Sequence, residues 1–337
     1  MNKKVDVVII GLNAEKTLKR CIESVKANSY NQELIEIIYV DGGSTDNSIT
    51  EAENTEGVKV VKLNLEYPTP GKQRNEGWKV GTAEYVQFID SDTVLDKEWI
   101  KIAIEELENG TAGAVCGDRK EFYPEKSIYN WLGDQEWNAK AGEIKYFGGD
   151  VMVKRELLEK TGGYDNDLIA GEDPELAYRA GKAGYKIIKL DKLMTRHDLA
   201  MYKFKQYWKR AYRTGHAYAE VNKKHKDMWD VDCERILKRG GIGVVGTITG
   251  IIFSMITPWF IFLSLLSIGV MFRPRIMLVN YFKNEMKITK KEAEIYAIHA
   301  SMVIVPQFLG ILRYVIGEKI NIPLRNKAKK LSTGGIK

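Results

Sequence analysis

Between Gly241 and Phe272 the chain runs for 32 residues without one charged side chain. A helix needs only ~20 apolar residues to cross the hydrocarbon core of a bilayer, so burial of this run inside a soluble domain is not expected. The run reads either as one tilted span or as a short hairpin broken at Thr257-Pro258. A second stretch, Ile295 to Gly317, is apolar but carries His299, Gln307 and Arg313. Residues 241–320 are therefore set apart as a membrane region, followed by a basic tail over 321–337 with Arg325, Lys327, Lys329 and Lys330. Positive charge tends to stay on the cytoplasmic side, which predicts a cell-membrane protein whose folded part faces the cytoplasm. The stretch 273–294 is basic as well, so the number of spans stays open. Gly241-Ile242-Gly243-Val244-Val245-Gly246 spells GxGxxG, but it opens an apolar segment instead of following a buried strand, so a dinucleotide-binding turn is rejected. With Gly250 it gives a small-residue face suited to close helix packing.

The first two hundred residues are of another kind, and the mean hydropathy of −0.29 averages over both. Val5–Leu12 and Ile35–Val40 are short β-branched runs fit for buried strands, with further strands expected at 58–63, 85–89, 112–117 and 185–190. Asn13 is placed to cap a helix whose apolar positions Leu18, Cys21, Ile22 and Val25 fall at helical spacing. Helical patterns recur near 97–108 and 173–183. Alternating strands and helices predict an α/β domain over 1–200, a mostly parallel sheet between helices, with ligands at the carboxyl ends of its strands. That rule singles out the loops after Leu12, Val40 and Ile89.

Residues 202–239 hold eleven Lys or Arg against five Asp or Glu, interleaved with aromatics such as Tyr207, Trp208 and Trp229. The segment 201–240 is read as amphipathic interfacial helices lying among lipid headgroups, where Lys209, Arg210 and Arg213 could hold a lipid phosphate. The plainer alternative is a solvated basic helix that packs its aromatics on the protein. Over the whole chain 51 Lys and Arg face 45 Asp and Glu, a net charge of +6, which suits an anionic ligand or membrane lipids and gives no case for nucleic acid. Cys21, Cys116 and Cys233 are widely spaced and odd in number, which excludes a disulfide scaffold and a zinc motif.

Asp90-Ser91-Asp92 closes the expected strand 85–89 and puts two carboxylates at the sheet edge. Such a pair can grip a hard divalent cation and leave positions open for phosphate oxygens. Alone it is a weak signal, since acidic turns are common. Asp41 ends an earlier strand, where a carboxylate could accept from a nucleobase; Lys72 and Arg74 supply cations nearby in Gly71-Lys72-Gln73-Arg74-Asn75. Gly171-Glu172-Asp173 precedes an amphipathic helix, so Asp173 could face the pocket as a general base. Each taken singly also has an ordinary explanation: a turn residue, surface charges, a helix start complementing its dipole.

Order and spacing together resemble glycosyltransferase family 2 with the GT-A fold. The matching stretches are Val7 to Leu18, Ile38 to Asp46, Gly71 to Gly77 and Phe88-Ile89-Asp90-Ser91-Asp92. Gly148-Gly149, Gly162-Gly163-Tyr164-Asp165, and Gly171-Glu172-Asp173 with Glu175, Leu176 and Arg179 follow. The resemblance covers residues 5–215. It implies a nucleotide-sugar donor, usually uridine-based, bound by Asn13, Asp41, Lys72, Arg74 and Asp90. It implies Mn or Mg held by Asp92 with Asp90 and His197. Asp173 would deprotonate an acceptor hydroxyl and give inversion, with Glu172 orienting the acceptor.

The chain departs from the family pattern in three places. Gly42 stands where many members have a second aspartate, and Gly11-Leu12 replaces a Pro-Thr-Tyr-type turn. No Gln-x-x-Arg-Trp follows His197, which favours transfer of a single sugar. The expected acceptor is a hydroxyl of a polyprenyl or dolichyl lipid-linked saccharide or of a cell-surface glycan precursor, because a phosphate acceptor would need no base such as Asp173. The alternative is direct transfer to polyprenyl or dolichyl phosphate. A nucleotidyltransferase is the rival of another class, and a membrane scaffold with a degenerate domain is a further one.

Overall fold

Every position of the first strand, β1 (Val5–Gly11), is buried, which is what a continuous apolar run gives when helices cover both faces of a sheet. The computed structural model describes residues 2–63, 68–137, 139–320 and 322. The described chain forms two units that divide between Ala200 and Met201. The basic tail expected over 321–337, with Arg325, Lys327, Lys329 and Lys330, lies outside the described residues apart from Ile322.

In the first unit α1 (Leu18–Lys26), β2 (Ile35–Asp41), α2 (Ser48–Glu53), β3 (Val58–Lys62), α3 (Pro70–Val80) and β4 (Tyr85–Asp90) follow β1. Next come β5 (Thr93–Leu95), α4 (Trp99–Asn109), β6 (Ala112–Glu121), α5 (Ile128–Glu136), β7 (Gly142–Glu143) and β8 (Val151–Lys154). The unit closes with α6 (Arg155–Thr161), α7 (Glu172–Lys182) and β9 (Lys186–His197). One sheet runs β3-β2-β1-β4-β8-β6-β9-β5, with β7 on β9. Pairing is parallel through β3, β2, β1 and β4 and between β6 and β9. β8 runs antiparallel to both of its neighbours, and β5 antiparallel to β9. The sheet is thus mixed, with the parallel half where it was expected.

Register brings the three carboxyl ends together, since Gly11 lies opposite Asp41 and Ile10 opposite Asp90. A Cβ on Gly11 would fall 2.8 Å from Ser91 Oγ and 3.0 Å from Tyr39 Oη. The turn after β1 therefore has no room for a side chain at this position, which accounts for one departure from the family pattern. Asn13 does not cap α1, which starts later with Thr17 before it; Asn13 is left-handed (φ 55°) and its side chain does other work. Cys21, Cys116 and Cys233 are free and buried.

The second unit is helical: α8 (Phe204–Lys224), α9 (Asp230–Ser254), α10 (Ile261–Ile276), α11 (Val279–Met286), α12 (Lys290–Met302) and α13 (Ile304–Lys319). A single helix, α9, crosses the division expected at 240, so basic segment and apolar run are continuous. The apolar run turns at Thr257-Pro258 into α10, forming a hairpin. Gly246 and Gly250 face Ser267 and Ser264 so closely that a Cβ would meet those hydroxyls at 2.2 and 2.4 Å, the close packing expected of this small-residue face. Two helical stretches, Asp230–Ser254 and Lys290–Lys319, are long and apolar enough to cross a membrane. The aromatics of α8 divide between two settings. Tyr207 Oη lies 3.0 Å from His299 Nδ1, and His216 stacks edge-on against Tyr314, whereas Tyr202 and Phe204 are half exposed.

Candidate active site

The loops after β1 and β2 are tied to each other. Asn13 Oδ1 accepts from the Thr45 amide at 2.8 Å, and the Asn13 amide donates to Ser44 Oγ at 2.8 Å. Asp41 is fully buried at the end of β2. Its Oδ1 accepts from the Gly43 and Ser44 amides at 2.8 and 2.7 Å, and its Oδ2 from Ser44 Oγ and Tyr39 Oη at 2.5 and 2.9 Å. A carboxylate has about four acceptor positions, and all of them serve this turn. These contacts of Asp41 shape the loop.

Arg74 is likewise engaged within the protein. It projects from α3 and is 2% exposed. Its Nη2 donates to Asp90 Oδ1 at 2.8 Å, and its Nη1 donates to Glu172 Oε1 at 2.9 Å and lies 3.3 Å from Asp173 Oδ1. The guanidinium sits over the Tyr164 ring, 5.5 Å from the centroid. Both terminal nitrogens are engaged, and Arg74 gathers three acidic residues from β4 and α7. Lys72 stands half-buried in the first turn of α3. Gly149 completes this arrangement, because a Cβ there would meet Arg74 Nη2 at 2.6 Å and Asp90 Oδ2 at 2.8 Å.

Asp92 and His197 are more than a hundred residues apart in sequence and meet through the sheet. β5 begins one residue after Asp92 and pairs with the end of β9, putting Thr93 opposite His197. His197 Nε2 then lies 3.0 Å from Asp92 Oδ1, and the Asp198 amide donates to the Asp92 carbonyl at 3.1 Å. Trp137 stacks on the His197 ring at 5.2 Å, and Arg119 lies over Trp137 with its Nη2 3.3 Å from His197 Nδ1.

Asp150, Arg119 and Trp137 were not singled out from the sequence. Asp150 is fully buried; it accepts from Thr195 Oγ1 at 2.7 Å and from the Asp90 amide at 3.3 Å, and lies 3.4 Å from Arg119 Nε. It locks the position of Asp90 from behind. Its one sequence signal is its place directly after Gly148-Gly149.

Burial governs the acid–base character here. It pushes the Asp173 carboxyl up to about 8, against the pull of Arg74 and with the added repulsion of Glu172 and Asp90. It also raises Asp90, again opposed by Arg74 and reinforced by Asp150 and Asp92. Asp92 is partly exposed, and its contact with His197 holds it below the usual carboxylate range against the effect of desolvation. The same contact raises His197 in spite of its own burial.

The Asp92–His197 pair fits a divalent cation on its donor chemistry. It offers a carboxylate and an imidazole side by side, with Asp92 Oδ1 facing His197 Nε2. Among the described residues no group of three His, Cys, Asp or Glu side chains is placed to hold a metal, so further positions would fall to the ligand or water. Asp90, expected as a metal contact, has one oxygen engaged by Arg74.

Residues 6–163 match the model of glycosyl transferase family 2, and residues 132–204 match a model described as the N-terminal domain of galactosyltransferase. The poly(ribitol-phosphate) beta-glucosyltransferase of Bacillus spizizenii is 30% identical over 166 residues, covering 47% of this chain and 26% of that protein. Glycosyltransferase GlyG of Streptococcus pneumoniae is 32% identical over 182 residues, covering 48% of this chain and 60% of its own length. Glycosyltransferase AglE of Haloferax volcanii is 24% identical over 197 residues, covering 54% and 63%. The chain thus spans less than two thirds of each of these relatives. Among solved structures, the mannosyltransferase PcManGT from Pyrobaculum calidifontis, in complex with GDP-Man and Mn2+, superposes with a TM-score of 0.61 at 16% identity, covering 93% of this chain and 87% of that one. Fold and family model agree: over residues 6–163 the chain carries a glycosyl transferase family 2 domain, with the GT-A fold.

Proposed function

We propose that the chain is an inverting, metal-dependent glycosyltransferase that moves one sugar from a nucleotide-sugar donor, a UDP-sugar, to a hydroxyl of a membrane lipid-linked saccharide or cell-surface glycan precursor. The observation that carries this reading is Asp173, a half-buried carboxylate at the start of α7, 3.3 Å from Arg74 in the acidic cluster, whose pKa of about 8 suits a general base. Asp173 takes the proton of the acceptor hydroxyl as its oxygen bonds to the anomeric carbon, while the bond from that carbon to the diphosphate breaks and its electrons leave with the diphosphate. Attack opposite the leaving group inverts the configuration. Glu172, held by Arg74, positions the acceptor side of the site. Asp92 and His197, with Asp90 behind them, would hold Mn or Mg, which would neutralise charge on the departing diphosphate. Asn13 and Lys72 are assigned to the donor pocket; Asp41 and Arg74 contribute through the loop and the carboxylates they hold.

Membrane attachment through the helical unit, with the first unit on the cytoplasmic side, belongs to the same proposal. It is supported by the apolar hairpin and by the basic segment preceding it. The test uses detergent-purified full chain with Mn or Mg, radiolabelled UDP- and GDP-sugars and membrane lipid extract. Label in the organic phase on a glycan longer by one terminal sugar is the expected result. A single sugar released by mild acid would move the acceptor to a polyprenyl or dolichyl phosphate and remove Asp173 as base. Transfer from GDP-sugars alone would overturn the UDP assignment.

A further inference from the structure

The apolar arms of the α9–α10 hairpin are short. Gly240 to Ser254 is 15 residues and Ile261 to Phe272 is 12, or roughly 22 and 18 Å of helix at about 1.5 Å per residue. These charge-free stretches fall short of a hydrocarbon core of ~30 Å, although the whole of α9, counted with its charged first turns, is long enough to cross. The tip between them is bare and apolar: Met255 is 85% exposed, Ile256 78% and Trp259 74%. A hairpin of this kind enters a bilayer and returns on the same side, which leaves its base at the headgroups.

At that base the charge-free run both begins and ends in arginine. Arg239 Nη2 donates to the Met271 carbonyl at 2.5 Å, which ties α9 to α10. Arg275 follows Met271 by one helical turn, and Arg235 precedes Arg239 by one turn. Arg239 therefore reaches the turn of α10 that leads to Arg275, with Arg235 one turn before it, so the three guanidinium groups gather at the base of the hairpin. The nearby carboxylate of Asp232 is already paired with Arg235 at 2.5 Å. The Nε atoms of Arg239 and Arg275 are buried without an acceptor. Arg239 and Arg275 are half-buried and Arg235 is exposed; clustered cations with orphaned donors favour an anion between them, and a guanidinium fork matches phosphate oxygens.

We propose that Arg235, Arg239 and Arg275 form a binding site for the phosphate group of a membrane phospholipid, seated at the base of the α9–α10 hairpin. The proposal rests on the membrane reading of this hairpin and is independent of the sugar and acceptor. Free phosphate offers the same chemistry; the bare apolar arms leading to the site favour a lipid, whose chains they would accompany.

The test is native mass spectrometry of the full chain in detergent, titrated with phosphatidylglycerol. Wild type is expected to retain one phospholipid, and R239Q/R275Q to lose affinity by at least about tenfold. R239K/R275K keeps the charge and removes the fork, so it is expected to fall nearly as far. A lysine variant that binds like wild type would mean diffuse attraction and would overturn a built site. Inorganic phosphate binding as tightly as the lipid would overturn the lipid assignment. Circular dichroism melting of both variants identifies a folding defect. Failure of wild type to float with phosphatidylcholine vesicles would overturn the membrane reading itself, while sugar transfer in detergent reports on the enzyme separately.

Discussion

Arg74→Gln tests whether one buried cation organises the acidic centre. The guanidinium is 2% exposed and contacts Asp90, Glu172 and Asp173 within 3.3 Å. Removing one partner of a buried ion pair leaves uncompensated charge and costs about 3–5 kcal/mol. For a unit of this size each kcal/mol moves the melting temperature by ~2–4 °C, so the loss is roughly 6–20 °C. The pH dependence separates electrostatics from lost packing. An unfolded aspartate titrates at 3.8 and the folded Asp173 at about 8. Its protonated form is thus favoured by folding: that stability is complete below the unfolded value and disappears as pH rises through about 8. Arg74 pulls both Asp90 and Asp173 downward. Without it both rise further, so the variant's deficit is small in acid, where these carboxyls are neutral, and widens as pH climbs. Scanning calorimetry of wild type and variant from about pH 5 to about pH 9 measures this. A deficit that stays constant across the range would refute the electrostatic account.

Three further outcomes are expected. Asp173→Asn abolishes transfer, by at least about 100-fold, while donor binding measured by calorimetry stays within error; in wild type kcat/KM rises with pH toward about 8, and a flat profile would remove Asp173 as the base. Asp92→Asn and His197→Ala each raise the Mn2+ needed for half-maximal turnover by about tenfold or more, and an unchanged metal titration would separate this pair from the metal. Gly149→Ala drives a methyl group into Arg74 and Asp90 and costs about 1–3 kcal/mol of stability, with donor turnover falling in parallel; an unperturbed variant would mean the two side chains can move aside.

The parallel half of the sheet was legible because β1, β2 and β4 are apolar runs that burial on both faces demands. α3 was not, for a physical reason: the face it buries is polar, with Gln73, Arg74 and Asn75 all inside, so no apolar period marks it. The same fact hid the true partners of Arg74, whose charge is visible in the sequence and whose burial is not. β9 was expected to stop near Leu190; its second half is polar and stays extended because β5 and β6 pair with it. β8 has four residues and β5 three, too few for periodicity to speak. Asp92 and Asp173 could be picked out by their motifs. Asp150 and Arg119 could not, since their meaning lies in contacts that only the folded sheet creates.

The pairing of β5 with β9 has a consequence for how the protein is made. As the chain leaves the ribosome, the Asp90-Ser91-Asp92 turn emerges long before His197, and Trp137 and Asp150 arrive in between. β6, β8 and β9 close the sheet through partners of high sequence separation, so this part of the domain has a high contact order and is expected to form last. Until β9 docks, one side of β6 is an open edge, which invites pairing with another chain. Expression trials that end before Lys186 should therefore yield aggregation-prone protein, even though nearly all of the family 2 motif is already present.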